Sequence, residues 1–369
     1  MDLAPAKDRL VRIVLGQRSR PPGRFAPRES GEGATAAGAE RRARLVLGAI
    51  ILALLALALA VDVPRVAKGS FWGDGATYHS MAWSLAADLD LRYEGRDLAR
   101  VRESHPDGPQ GIFLKKGSGG LTLDGDHGFP WIRRVREDEG RLYYAKAFAY
   151  PLAAAPAVWV LGSRGLSFTN AAVLGLVLWF GYGAMRRRGF SPAPALATVL
   201  VLFLGTVVPL YLIWPAPELF GLGLVALALC AWAAERPVLS AVLFGVAGYV
   251  KPPNVLMAAP LGFAPLVRGW AEGGRAGLAR GLVESVRRGA VMGLTALAFY
   301  GANAAITGEL NYQGGARKTF YDRFPFDEKG TTFDTAGFWM TADHVGPLLA
   351  GRDDEKVTAR TGVARNPVE

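Results

Sequence analysis

Cysteine and histidine are scarce in this sequence. It has one cysteine, Cys230, and four histidines among 369 residues. A single cysteine excludes a disulfide framework and a cysteine-based zinc cluster, and His79, His105 and His127 lack the HxxxH or HExxH spacing of metal ligands. GxSxG, Walker and dinucleotide-binding motifs are also absent, which argues against hydrolases, ATPases and dehydrogenases. We therefore predict a protein without a cofactor.

Two acidic pairs are the remaining candidates for a divalent cation. They are Asp88 with Asp90 in the sequence DLD and Asp124 with Asp126 in the sequence DGD. Carboxylate oxygens are the ligands that hard cations take, but pairs of this kind more often mark helix ends and turns. The prediction is that neither pair holds a metal.

Long apolar runs, in contrast, are abundant. Hydrophobic residues make up 51% of the chain and its mean hydropathy is +0.19, which predicts a multi-span membrane protein rather than one soluble core. The net charge of +10 would suit nucleic acid, but the basic residues fall in short clusters between apolar runs, as membrane orientation requires. Nucleic-acid binding is therefore not expected.

The N-terminal region predicts the orientation in the membrane. Residues 1–42 are rich in Arg, Pro, Gly and Ala and cannot bury enough apolar surface to fold, so we expect a disordered basic cytoplasmic tail. The apolar segment from Leu45 to Val63 then reaches about 28 Å, close to a bilayer core of roughly 30 Å. Arginines directly before this segment place the N-terminus in the cytoplasm and Asp74 outside.

The remaining apolar segments predict an all-α membrane protein with about seven transmembrane helices. Its transmembrane domain extends over residues 43–307 and includes a large outer loop, residues 64–165, that carries interfacial helices. An extracytoplasmic tail is predicted over 308–369. The spans that follow the outer loop are predicted at 166–185, 192–212, 219–234, 238–250, 255–267 and 290–306.

Two points of this topology have alternatives. We interpret residues 147–162 as an interfacial helix, because a span there would place the later short basic loops outside the cell. We interpret the KPPN sequence at Lys251–Asn254 as the turn of a helical hairpin with Lys251 at the outer surface. One kinked span is the alternative, and it would leave the arginines of 268–288 on the wrong side.

The stretch Phe71–Asp90 carries the first candidate residues for chemistry. Asp74 lies just past the first apolar run, at the start of a plausible helix. It is either the N-cap of that helix or a general base that deprotonates an acceptor hydroxyl, and the two roles are compatible. His79 lies one residue after Tyr78, close to Asp74 in the sequence, where it either binds a phosphate or orients the carboxylate, unless it is simply solvated.

Lys251 and Glu218 are the other charged candidates. A lysine at the centre of a bilayer costs on the order of 3 kcal/mol, so Lys251 needs an exit to the interface or an anionic partner. It is either a snorkelling side chain or a point charge that binds the phosphate of a lipid carrier. Glu218 either contributes to acceptor binding or starts a helix as a favourable N-terminal charge.

Several stretches resemble the GT-C superfamily of integral-membrane glycosyltransferases, and in particular its bacterial aminoarabinose transferases and protein mannosyltransferases. The resemblance covers roughly residues 43–315 and concerns the order of segments more than a fixed signature. The segments that carry it are, in chain order, FWGDGATYHSMAWSLAADLDL, YYAKAFAYPLAAAPAVWVLG, GLSFTNAAVLGLVLWFGYGAMRRRG, WPAPELFGLGL and GYVKPPNVLMAAPL.

The resemblance implies transfer of a sugar from a polyprenyl-phosphate carrier, a membrane lipid, to an unidentified acceptor on the outer face of a bacterial cytoplasmic membrane. Asp74 matches the catalytic acidic residue of the family's first outer loop. Lys251 matches a basic residue that contacts the carrier phosphate. His79, Glu218 and Tyr78 would line the substrate site.

Two departures from the family pattern shape these expectations. Gly75 follows Asp74 where the family often has a second acidic residue, and family members usually carry more spans, so a companion chain that supplies further spans is an expected partner. The interpretation also requires Asp74 and Lys251 to face the same exterior compartment. The alternatives are a transporter or flippase for a lipid-linked substrate, whose signs would be broken helices and inverted repeats, and a non-catalytic scaffold.

Overall fold

The computed structural model describes residues 30–61, 72–124, 131–135, 140–314, 316–328 and 330–336. Four parts of the sequence named above lie outside the described residues. They are most of the predicted N-terminal tail, Asp126 of the DGD pair, His127 and most of the predicted C-terminal tail. Helices account for 71% of the structure, which confirms the helical part of the predicted fold.

The elements alternate between long helices and one region of short strands. In chain order they are α1 (Ser30–Ala60), α2 (Gly73–Ala87), β1 (Arg92–Tyr93), α3 (Gly95–Ser104), β2 (Ile112–Lys116), β3 (Gly120–Asp124), β4 (Trp131–Val135), β5 (Leu142–Tyr144), α4 (Ala149–Leu161), α5 (Arg164–Arg187), α6 (Pro192–Leu204), a 3-10 helix (Val208–Leu212), α7 (Glu218–Ala233), α8 (Pro237–Val250), a second 3-10 helix (Pro252–Ala258), α9 (Ala259–Thr307) and β6 (Arg317–Phe320).

The described residues form two compact units. The helical unit takes its residues from Met1–Leu57, Asn170–Leu212 and Pro217–Ala298, and the sheet unit from Ala58–Thr169, Ile213–Ala216 and Phe299–Glu369.

Three helices of the described chain are long and apolar enough to cross a membrane. They are Ala36–Ala60 within α1, Arg164–Arg187, and the segment Pro252–Thr307 that contains α9. The predicted span at 192–212 is shorter than expected, because α6 ends at Leu204 and Gly205 is its C-cap. Since α6, α7 and α8 have only 13, 16 and 14 residues, each reaches about 20 to 24 Å at 1.5 Å per residue.

Small residues let the helices of the helical unit approach closely. A Cβ added to Gly223 of α7 would lie 2.2 Å from Val173 of α5, and one added to Gly245 of α8 would lie 2.6 Å from the carbonyl oxygen of Met292 in α9. Phe244 is fully buried in a cluster with Ala228, Ala241, Ala258 and Leu261. Close backbone approach at small residues is the way helices pack where lipid surrounds them.

Helix α9 is a hairpin of two antiparallel arms. The backbone leaves helical geometry at Gly273 and Gly274, and Gly274 has a φ of 56°, a conformation that glycine adopts without strain. Beyond this point the second arm packs along the first, and the Ser285 hydroxyl donates a hydrogen bond of 2.6 Å to the carbonyl oxygen of Gly262. The predicted segments 255–267 and 290–306 thus belong to one hairpin, and the basic region between them is helical.

The sheet unit contains β-structure that the all-α prediction did not include. Four strands form an antiparallel sheet in the order β1-β5-β2-β6, and β3 pairs with β4 in a separate hairpin. The strands of the larger sheet have 2 to 5 residues, too few to display an alternating pattern clearly. Strand β6 lies in the predicted C-terminal tail, and it pairs with β2 from the outer loop.

Helices α2 and α4 pack together beside this sheet. Tyr78 of α2 and Tyr150 of α4 contact each other edge to face with their ring centroids 5.9 Å apart, and both are buried. Ile112 and Leu114 of β2 and Phe320 of the neighbouring strand β6 are fully buried. The unit therefore has a core of its own, which holds the first turn of α2 and its Asp74 in place.

Candidate functional site

The N-terminus of α2 is fixed by a close contact between two backbone segments. Gly73 has a φ of +62°, and its N–H donates a 2.7 Å hydrogen bond to the carbonyl oxygen of Gln110. Gly111 has a φ of +74°, and a Cβ there would lie 2.9 Å from the Gly73 nitrogen. Only glycine fits at Gly111, because it has both the left-handed conformation and the backbone contact.

Asp74 lies in the first turn of α2 and is not its N-cap. The N-cap is Trp72, which has extended backbone geometry and makes no side-chain capping bond. The N-cap interpretation of Asp74 is therefore wrong, although a carboxylate in a first helical turn still interacts favourably with the helix dipole. The side chain is 44% exposed, so solvent and solutes can reach the carboxylate.

Lys146 forms an ion pair with Asp74 that the sequence did not reveal. Its Nζ lies 2.6 Å from Oδ1 of Asp74, and the lysine side chain is only 11% exposed. The same Nζ lies 4.2 Å from the ring centroid of Phe113, at a distance typical of cation–π contacts. The one sequence signal was a single lysine between aromatic residues in YYAKAFAY, directly before an apolar helix.

Thr77 connects α2 to β2 beneath this ion pair. Its hydroxyl donates to the carbonyl oxygen of Gly73 at 3.1 Å and accepts the N–H of Phe113 at 3.0 Å. The carbonyl oxygen of Phe113 in turn accepts the N–H of Ala145 at 2.9 Å. Phe113 is thus held on both sides of its backbone, and its ring gives Lys146 a fixed surface next to Asp74.

His79 and Tyr78 face the interior of the sheet unit. His79 is buried with its ring centroid 5.6 Å from that of His105, edge to face. Burial, with the nearby His105 as the second cause, lowers the pKa of His79 to about 3. A neutral ring in the core does not favour the predicted binding of a phosphate, and Tyr78 packs on Tyr150 rather than facing solvent.

Glu218 and Lys251 come together in the helical unit. Lys251 Nζ lies 2.9 Å from Oε1 of Glu218, and the two side chains are 55% and 31% exposed. Glu218 is the first residue of α7 and Lys251 is the C-cap of α8, so each charge also suits its helix end. Lys251 thus has the anionic partner that the sequence analysis considered necessary. An exposed pair of this kind leaves both groups accessible to a ligand.

The DLD pair has arginine partners. Asp88 lies 2.9 Å from a guanidinium nitrogen of Arg100, and Asp90 lies 3.1 Å from one of Arg96. Within the described part of the chain no group of three or more His, Cys, Asp and Glu residues could hold a metal ion. These aspartates therefore stabilise the turn between α2 and α3, as the turn interpretation predicted.

The site of Asp74 combines an accessible carboxylate with a shielded cation on a rigid aromatic support. The carboxylate can accept a proton from a hydroxyl group, and the lysine can bind an anionic group. Comparison with family models, curated proteins and solved structures finds no match for this chain.

Proposed function

We propose that the protein is a membrane-bound glycosyltransferase that moves a sugar from a polyprenyl-phosphate carrier to an acceptor hydroxyl. The observation that carries this proposal is the ion pair of Asp74 and Lys146, with 2.6 Å between a solvent-exposed carboxylate and a largely buried ammonium group. Asp74 lies in the first turn of α2, the helix after the first membrane-length helix in the chain. A lipid-linked donor and a water-soluble acceptor would both reach such a position.

In the proposed reaction, Asp74 accepts the proton of the acceptor hydroxyl while that oxygen bonds to the anomeric carbon of the sugar. The bond between this carbon and the phosphate oxygen breaks, and its electron pair leaves with the lipid phosphate. Lys146 stabilises the negative charge that develops on the phosphate. The half-exposed carboxylate supports this assignment, because the acceptor has to arrive from water.

The proposal includes a place in the cell envelope. The three membrane-length helices support membrane localisation, and the finer parts are a cytoplasmic N-terminus, about seven spans and a bacterial cytoplasmic membrane. Asp74→Cys and Lys251→Cys, each in a Cys230→Ser background, test the sidedness with a membrane-impermeant thiol reagent. We expect both cysteines to react from the outer side. Reaction from opposite sides would contradict the shared compartment.

Transfer itself is tested in proteoliposomes with a labelled polyprenyl-phosphate sugar and an envelope extract as the source of acceptor. Asp74→Asn should reduce transfer by about a hundredfold or more, which is the lower range for loss of a general base. Asp107→Asn, at another exposed aspartate of the sheet unit, is the matched control and should transfer normally. Undiminished transfer by Asp74→Asn would refute the assignment, and lipid movement between leaflets without transfer would support a flippase.

A further inference from the structure

The ring of Phe113 contacts two cations. Lys146 Nζ lies 4.2 Å from the ring centroid, and the Arg317 guanidinium carbon lies 5.4 Å from it. Both distances are within the range in which a cation gains energy from an aromatic face. Two positive groups on one ring repel each other, however, so this arrangement favours an anion that interacts with both.

The sheet places Arg317 at Phe113. In the antiparallel pairing of β2 and β6, Phe113 lies directly opposite Thr319, and Lys115 lies opposite Arg317. Arg317 is therefore the diagonal neighbour of Phe113, and diagonal neighbours on the same face are within reach of long side chains. The C-terminal strand thus brings a second cation to the aromatic ring that Lys146 also contacts.

The two cations differ in whether a carboxylate balances their positive charge. Lys146 is paired with Asp74 at 2.6 Å. Arg317 is exposed, and its guanidinium group contacts the Phe113 ring. Its neighbours on the two strands are paired elsewhere, since Lys116 contacts Asp334 at 2.5 Å and Lys318 donates to the carbonyl oxygen of Phe333 at 2.9 Å. Within the part of the chain that the structure describes, Arg317 therefore forms no ion pair with a carboxylate, whereas Lys146 does.

We propose that Lys146 and Arg317 form a phosphate-binding site over Phe113, and that an occupied site frees Asp74 to act as a base. A phosphate oxygen would compete with the Asp74 carboxylate for the Lys146 ammonium group, since both accept charge-assisted hydrogen bonds. In the resting protein the Lys146 ammonium group lies 2.6 Å from Oδ1 of Asp74 and occupies that oxygen. The bound phosphate takes over the lysine, and the carboxylate is then available for the acceptor hydroxyl.

This inference rests on the proposed function and adds an order to it, in which the donor binds before the acceptor is activated. A phosphate group could come from the lipid carrier or from free phosphate, and the site recognises the chemistry that both share. Arginine binds phosphate through two parallel N–H donors, which lysine cannot do. The two side chains therefore contribute unequally, and substitution distinguishes them.

Binding measurements with the full chain in detergent test the site without requiring transfer. Polyprenyl phosphate is titrated into wild type, Arg317→Ala, Arg317→Lys and Lys318→Ala, with inorganic phosphate in a parallel series. Arg317→Ala should weaken polyprenyl-phosphate binding about tenfold or more, as expected for a lost hydrogen bond to a charged group. Arg317→Lys should retain part of the affinity. Lys318→Ala is the matched control, because it removes one positive charge from the same strand, and it should bind as wild type does.

Asp74→Asn gives an independent readout of the competition for Lys146. Because the amide releases the lysine, this variant should bind polyprenyl phosphate several-fold more tightly than wild type. Unchanged binding by both Arg317→Ala and Asp74→Asn would overturn the inference, whether or not transfer depends on Asp74. Equally tight binding of inorganic phosphate would support the anion site and overturn the lipid as its source.

Discussion

Protonation of the buried His79 should make the sheet unit sensitive to acid. The pKa of this histidine is lowered from 6.5 to about 3, mainly by burial and further by His105. Below pH 6.5 His79 is therefore protonated in the unfolded chain, whereas in the folded chain it stays neutral down to about pH 3. The stability that the neutral His79 contributes is fully present above pH 6.5. It is lost as the pH falls toward 3, at up to about 1.4 kcal/mol per pH unit.

The magnitude can be worked out for an accessible range. Between pH 7.5 and pH 4.5 the loss from His79 amounts to roughly 3 kcal/mol, because only the part below pH 6.5 counts. The substitution His79→Gln removes the titrating group and should remove most of this pH dependence. It will also lower stability at every pH, since glutamine does not fill the space of the ring. The informative quantity is therefore the difference between the two pH values for each protein.

Thermal unfolding followed by tryptophan fluorescence in detergent measures this difference. Ser80→Ala is the matched control, because Ser80 is buried in the same helix and its hydroxyl bonds to the Ala76 carbonyl at 2.8 Å without titrating. The control should lose some stability at both pH values and keep the acid sensitivity of wild type. If His79→Gln is as acid-sensitive as wild type, then His79 takes up a proton in the folded state and the burial argument is wrong.

Two further predictions concern groups of the sheet unit. Burial lowers the pKa of Lys115 from 10.5 to about 8. Between pH 8 and pH 10.5 only the unfolded chain keeps the proton on this lysine, so the free energy of unfolding should rise over this range by roughly 3 kcal/mol in total. The variant Lys115→Met should show a flat unfolding temperature over this range, and a retained slope would contradict the assignment. Gly111→Ala should destabilise the protein by more than about 1 kcal/mol through its positive φ and its contact with the Gly73 backbone. Gly140 also has a positive φ, +62°, but open space surrounds it, so Gly140→Ala should destabilise the protein less than Gly111→Ala in the same unfolding assay. Equal destabilisation by the two substitutions would show that the contact with the Gly73 backbone does not matter.

The helical segments were accessible from the sequence because lipid imposes a simple rule on them. Uncharged runs of suitable length mark helices wherever backbone groups have no water to bond to, and α5 lies close to its predicted position. Helix α1 contains most of the predicted first span but begins at Ser30 instead of Leu45, so residues 30–42 are helical and the prediction of a disordered tail is wrong for them. The break after Leu204 was missed, because Gly205 lies within an otherwise apolar run and hydropathy does not register the backbone. The reversal at Gly273–Gly274 had a glycine pair as its signal, but the charged surroundings indicated a loop.

The candidate site was only partly accessible. Asp74 was identified from its position after the first apolar run, and its place in the first turn of α2 agrees with the predicted helix. Lys146 was not identified from the sequence, since 71 residues lie between it and Asp74 and no local pattern links the two. Glu218 and Lys251 were each predicted as substrate contacts, and the helix ends that carry them bring them within 2.9 Å of each other.

The sequence by itself determined where the long apolar helices lie and that a carboxylate follows the first of them, because both properties are local to a stretch of chain. Tertiary structure alone decided the partners of that carboxylate. Short strands from the outer loop and from the C-terminal region pair into one sheet, and this pairing brings Phe113 and Arg317 together, while the backbone bond from Ala145 to Phe113 places Lys146 between that ring and Asp74. Pairing between distant strands depends on packing and on hydrogen bonds across the whole unit, and no window of sequence contains that information.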